Sequence, residues 1–243
     1  MNKTMRHTLI ILTALLLPPL AAAHAADNPK PAGPNVIVIL TDDQGYADLS
    51  SQHQLPDIKT PNIDALAAQG VRMTAGYVTA PQCSPSRAGL ICGRYQQRFG
   101  LDTIPDNPMP LEENTMPKRL KKASYVSGMV GKWHLDPNPT CVKWARKNLP
   151  QLKPGKNGSV AIPEEYLRQY SSLAQGFDEC FQGEMHQYFA TFGLDGRVLD
   201  PRGTMIQQSG YRLDTQTAAA LAFLKRHHDQ PFAAAGDSEL RAE

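Results

Sequence analysis

Three short stretches of this chain carry residue types that can do chemistry. The first is Thr41-Asp42-Asp43-Gln44-Gly45, a polar turn directly after the apolar run Val36-Ile37-Val38-Ile39-Leu40. Two adjacent carboxylates repel each other unless a cation neutralises them, and hard oxygen donors suit Ca²⁺, with Mg²⁺ second. Taken alone, an Asp pair after a strand is more often a solvated turn. The second is Cys83-Ser84-Pro85-Ser86-Arg87. Pro85 suits the first turn of a helix, which puts Cys83 at or just before the helix N-terminus. Free N–H groups and the positive end of the helix dipole there attract anions and favour a thiolate. Arg87, one turn on, can reach the same spot with a planar guanidinium. The third is Gly131-Lys132-Trp133-His134. At the end of a strand, residues two apart point the same way, so Lys132 and His134 face one pocket. It is not a phosphate-binding loop, because Gly128 precedes Gly131 by only three residues and Trp133 stands where Ser or Thr is required.

These residues need a frame. The β-branched run Val36 to Leu40 predicts a strand buried on both faces, as in parallel sheets. In open α/β sheets the carboxyl ends of such strands are where ligands bind. Thr60-Pro61 predicts a short helix, with Thr60 as cap, Pro61 in the first turn, Ile63, Leu66 and Ala67 as the apolar stripe, and Gly70 as the stop. Val71 to Thr79 reads as another strand, Met116 to Ala123 as a helix, and Tyr125 to Val130 as a strand leading into Lys132. Leu149 to Pro163 reads as a loop. Thr215 to His228 reads as an amphipathic helix with Ala218, Leu221 and Leu224 on one face. Helices alternating with buried strands predict an α/β fold with a mainly parallel central sheet flanked by helices.

Charge and the N-terminus narrow the class of function. The 243 residues carry 25 Lys and Arg against 23 Asp and Glu, and Lys3 and Arg6 account for the surplus. The rest is balanced, which excludes nucleic-acid binding by bulk charge and a polybasic membrane surface. Lys3 and Arg6, the apolar stretch Leu9 to Leu20, and Ala23-His24-Ala25 together have the form of an export signal over residues 1–25. That stretch is too short to span a bilayer. The mature protein, residues 26–243, is then expected to be periplasmic or secreted, with no membrane attachment once the signal is removed. Cys83, Cys92, Cys141 and Cys180 would meet an oxidising compartment, where one disulfide is possible but its pairing cannot be read. Cys92, Cys141 and Cys180 read as packing residues.

Cys83-x-Pro85-Ser86-Arg87 resembles the signature of type I sulfatases, whose Cys is oxidised to formylglycine. Pro34-Asn35-Val36 through Asp42-Asp43, Thr60 to Leu66, Gly131 to Leu135 and Gly176-Phe177-Asp178-Glu179 resemble further segments of the same family, in the same order, from about Pro34 to Phe232. The resemblance implies an alkaline-phosphatase-like fold and hydrolysis of sulfate esters to alcohol and sulfate. It implies Ca²⁺ held by Asp42, Asp43 and the modified Cys83. Arg87 would steady the modified side chain, Lys132 would hold sulfate oxygens, and His134 would contact the formylglycine hydrate. One hydroxyl of that hydrate attacks sulfur, and loss of the proton from the other expels sulfate; an unmodified Cys or Ser has no second hydroxyl and would be trapped. The expected substrate is a sulfated small molecule or glycan, and the expected partner a formylglycine-generating maturation enzyme. His186 resembles a segment near the substrate pocket in some bacterial members, although a surface or core His is the commoner case. His227 and His228 do not read as a metal pair, since adjacent helical residues point to different faces.

Two features depart from the family. After Phe232 the chain reads Ala233-Ala-Ala-Gly-Asp-Ser-Glu-Leu-Arg-Ala-Glu243, with no strand pattern, and residues 233–243 read as an atypical tail of a truncated catalytic domain. The family's remaining metal ligands are not recognisable, so the partial set is expected to bind Ca²⁺ weakly and the chain as given to be inactive. Asp136 stands where the family usually has Gly. The alternatives are a phosphonate or phosphate monoester hydrolase of the same superfamily and a non-catalytic remnant.

Overall fold

The computed structural model describes residues 33–238, so the export-signal reading of residues 1–25 and the last residues of the tail lie outside them. Six strands form one sheet in the order β1-β6-β2-β3-β4-β5. They are β1 (Val36–Thr41), β2 (Val126–Gly131), β3 (Glu179–Glu184), β4 (Gln187–Ala190), β5 (Thr204–Gln207) and β6 (Phe232–Ser238). The first four in sheet order run parallel, and β4 and β5 add antiparallel at the far edge. The helices are α1 (Pro61–Gln69), α2 (Cys83–Cys92), α3 (Met116–Lys121), α4 (Val142–Asn148), α5 (Glu164–Gln169) and α6 (Arg212–Arg226). The expected α/β class, the helix after Thr115 and the strand leading to Lys132 are all present. The loop from 149 to 163 separates α4 from α5.

Two apolar layers fix the sheet. On one face Met129 packs with Ala88 and Ile91 of α2, Trp133, Leu135 and Phe177. On the other, Val130, Phe181 and Tyr188 meet Ala219, Ala222 and Phe223 of α6. Phe223 lies so close to Gly128 that a Cβ there would meet its ring at 2.5 Å. Gly128 is therefore the residue that lets α6 settle on β2.

Several expectations are corrected. Among the described residues β1 stands at the sheet edge and pairs with β6 alone, and its Ile37 and Ile39 are exposed, not buried on both faces. An unbroken apolar run does not reveal which strand stands at an edge. The stretch from Val71 to Thr79 forms no strand, and Val71, Met73, Tyr77 and Val78 are exposed. A β-branched pattern makes a strand only where a neighbouring edge accepts its hydrogen bonds. The reverse error occurs at the tail, where Phe232 to Ser238 is a strand in the interior of the sheet, with Val36 opposite Ala233 and Val126 opposite Phe232. Hydrogen bonding on both sides overrides the poor strand propensity of Ala and Gly. In α6 the buried face is Thr215, Gln216, Ala219, Ala222 and Phe223, while Leu221 is exposed. The large Phe223, seated on Gly128, turns the helix one position from the face predicted by Ala218, Leu221 and Leu224. Thr60 precedes α1 but does not cap its backbone; it bonds Ser50 and Asp64 instead, and no residue of α1 is buried. Cys92, Cys141 and Cys180 are buried and all four cysteines are free.

Candidate active site

The carboxyl ends of β1 and β2 and the N-terminus of α2 meet at one point. Asp42 follows β1. Its Oδ2 accepts a hydrogen bond of 2.6 Å from Lys132 Nζ and lies 3.5 Å from an Arg87 nitrogen. Cys83 opens α2, as its spacing to Pro85 predicts, and its Sγ lies 3.2 Å from His134 Nδ1. Arg87 also donates to the Lys132 carbonyl at 2.8 Å. Residues from four separate sequence segments (Asp42, Cys83 with Arg87, Lys132 with His134, and Glu184) therefore share one centre. Glu184, at the end of β3, stands 3.9 Å from Lys132 on the side away from Asp42's strand.

Lys132 and His134 reach this centre by different means. β2 ends at Gly131, and His134 adopts a left-handed backbone with φ 56°. Such a conformation is uncommon outside glycine and has to be held by its surroundings. Ser84 Oγ donates to the His134 carbonyl at 2.6 Å, and buried Asn107 donates to both Ser84 Oγ and that carbonyl. Ser84 and Asn107 thus lock the imidazole against the thiol. Nothing in the sequence marks Asn107 for this role, and Ser84 is noticeable only as the neighbour of Cys83.

The charges are tightly coupled. Burial alone would raise the Asp42 carboxyl, but the Lys132 hydrogen bond and the charges of Arg87 and Lys132 outweigh it and hold the group below its ordinary value. Burial works against the Lys132 ammonium too, yet the bond to Asp42 and the carboxylates of Glu184 and Asp42 leave it raised. Burial, followed by the positive charge of Lys132, lowers His134, so its ring is neutral at pH 7. Beneath the centre lies a small apolar cavity of ≈ 80 Å³ bounded by Val38, Leu40, Leu90, Met129 and Ala235.

Asp43 is exposed with φ 55°, and among the described residues no three His, Cys, Asp or Glu side chains gather into a metal cluster. With Asp42 Oδ2 already engaged by two cations, the described donors do not by themselves meet the six to eight oxygens that Ca²⁺ takes. His186 sits on the exposed turn between β3 and β4, its Nδ1 3.2 Å from the Gln208 carbonyl and not among the contacts of Cys83 or Lys132. His227 faces Glu179 at the end of α6, and His228 faces Asp229.

Comparison with known proteins bears on this centre. Arylsulfatase A of Bos taurus is 42% identical over 125 residues, covering 49% of this chain and 24% of that protein. The N-acetylgalactosamine-6-sulfatase of Rattus norvegicus is 39% identical over 144 residues, covering 54% and 27%. The matched stretch therefore spans about a quarter of the length of these relatives. Among solved structures, one in complex with its substrate D-glucosamine-2-N,6-O-disulfate is 25% identical with a TM-score of 0.56, covering 84% of this chain and 34% of that one. The phosphonate monoester hydrolase of Agrobacterium radiobacter, 20% identical with a TM-score of 0.54 over 85% of this chain and 41% of its own, shares the fold. The family model described as Sulfatase matches residues 34–234, a span that runs from the residues before β1 into β6 and takes in Asp42, Cys83, Lys132 and His134. The chain belongs to the sulfatase family and has its alkaline-phosphatase-like fold.

Proposed function

We propose that this chain carries the nucleophile and part of the anion site of an enzyme that hydrolyses sulfate esters to alcohol and sulfate. The observation that carries this reading is the seating of Cys83 at the N-terminus of α2, 3.2 Å from His134, with Arg87 and Lys132 beside it. Residue 83 acts after oxidation to formylglycine by a maturation enzyme. Neutral His134 is placed to take or return a proton at residue 83, while Lys132 and Arg87 bind and orient the sulfate oxygens. Ca²⁺ would be held by Asp42, Asp43 and the oxygens of residue 83, joined by ligands beyond these three, and would supply a positive field for charge developing on oxygen. The reading also takes residues 1–25 as an export signal and the working protein as periplasmic or secreted, with a sulfated small molecule or glycan as substrate.

The test is to produce the chain alongside a formylglycine-generating enzyme and examine the peptide containing residue 83 by mass spectrometry. Turnover of 4-nitrophenyl sulfate and 4-nitrophenyl phosphate is then compared, with Cys83→Ala as control. Conversion of Cys83 to the aldehyde and a preference for sulfate are expected. An unmodified Cys83, or Cys83→Ala turnover equal to that of the parent, would sink the mechanism.

A further inference from the structure

We propose that Asn157, in the loop between α4 and α5, is a site of spontaneous covalent modification, where the side-chain amide cyclises onto the Gly158 nitrogen, loses ammonia and reopens with water to aspartate and isoaspartate. The reaction needs only water and does not depend on the chemistry of the Lys132 centre.

Of the asparagines in the sequence, Asn157 alone precedes a glycine. A residue without Cβ leaves the attacking nitrogen uncrowded, and at Gly158, with φ 77°, nothing lies within 4 Å of the place a Cβ would take. Asn157 and Gly158 are both exposed. The Asn157 side chain folds back on its own turn, where Oδ1 accepts the Ser159 N–H at 3.1 Å and the Ser159 hydroxyl at 2.7 Å. Reaching the nitrogen two residues on brings the amide carbon beside the intervening Gly158 nitrogen. Both donors meet the oxygen on which negative charge builds as that nitrogen attacks. Lys153 and Lys156 are exposed and no acidic residue stands between Asp136 and Glu164, so the surrounding charge favours the same anion. One bond opposes the attack: the Gly158 N–H donates to the Gly155 carbonyl at 2.9 Å and has to open first, which costs little in an exposed turn. Asn107 and Asn138 precede prolines, which have no N–H, and the exposed Asn114 and Asn148 precede Thr115 and Leu149, whose side chains crowd the nitrogen.

In the first step the bond from Gly158 N to Asn157 Cγ forms, the Cγ–Nδ2 bond breaks, and the Gly158 proton leaves on ammonia. Water then cleaves the imide. Opening at the side-chain carbonyl gives aspartate, and opening at the main-chain carbonyl gives isoaspartate. Either product sets a carboxylate beside Lys156. Isoaspartate also lengthens the backbone by one carbon, which breaks the 2.7 Å bond from Gly155 N–H to the Ser159 carbonyl.

The test is to hold the purified full chain in warm, mildly alkaline buffer and follow the peptide containing residue 157 by mass over time, with isoaspartate read by an isoaspartyl methyltransferase. It is repeated on Asn157→Gln and Ser159→Ala, each checked for folding by thermal melt. Asn157 is expected to convert before Asn114 and Asn148, and the isoaspartate signal to vanish in Asn157→Gln. Loss of the Ser159 hydroxyl donor should slow conversion about fivefold. The proposal is overturned if residue 157 stays intact in the folded chain, or if folded Ser159→Ala converts as fast as the parent.

Discussion

Asp136 offers a sharp test of the electrostatics around the site. It lies two residues beyond His134, half-buried, and its carboxyl is pushed up from 3.8 to about 6. Burial is the largest cause and the nearby Glu184 charge adds to it, while a bond from its own backbone N–H works the other way. The folded state therefore holds this proton more tightly than the unfolded chain. Between pH 3.8 and about 6 the folded protein carries the extra proton, so raising the pH through that window drains stability. Below it Asp136 costs nothing, and above it the full cost is in place. A gap of about 2 pH units, at about 1.4 kcal/mol each, amounts to about 3 kcal/mol at neutral pH. Asp136→Asn keeps the shape and removes the charge. In urea titrations the variant should match the parent at about pH 4 and exceed it by up to about 3 kcal/mol at about pH 7.5. Taking the difference between the two proteins cancels every other titrating group. The reasoning is refuted if the difference is the same at both pH values, or if the variant is the less stable one at the higher.

Three more outcomes follow from the packing and charges. Gly128→Ala drives a methyl into the buried Phe223 ring, and melts should show a loss of about 1–3 kcal/mol. Lys132→Met removes the closest cation of Asp42; because that carboxyl is held low, its contribution is present at neutral pH and lost on acidification, so the variant should unfold at a higher pH in an acid titration followed by circular dichroism. Burial pushes the thiols of Cys92 and Cys141 up to about 11 and that of Cys180 to about 12, so alkylation of the native unmodified chain, read by peptide mass, should label Cys83 first and the other three only on unfolding.

What the sequence shows about the site is what lies close together along it. Cys83, Pro85 and Arg87 share one helical turn, so their grouping can be read from spacing, whereas Lys132 and His134 meet beyond the strand end and through the left-handed turn at His134, not by strand alternation. The pairing of Asp42 with Lys132 spans 90 residues and depends on strand order. The clasp of Ser84 and Asn107 on the His134 carbonyl depends on a left-handed turn that the residue type does not announce. Glu184 has no local motif and gains its meaning only from the neighbour beside which β3 is laid. The same holds for the fold. The strand ending at Gly131 is legible because the apolar residues of Tyr125 to Val130 run directly into Gly131. β6 is not, because Ala233-Ala-Ala-Gly becomes a strand through its position between two others and not through its own preference.

The interior place of β6 has a consequence for how the chain is made. β1 and β2 each bond to β6 and not to each other, and the Asn35 side chain reaches the Phe232 N–H across 197 residues of sequence. At typical ribosomal speeds β1 waits roughly 10–40 s before its partner is synthesised. Throughout that interval its apolar edge is open, and Asp42 cannot be held beside Lys132 through the strand that separates them. Closing so long a loop makes sheet completion a late and slow event. Asp42 and Lys132 therefore come together only once β6, made last of the six described strands, has taken its place between β1 and β2.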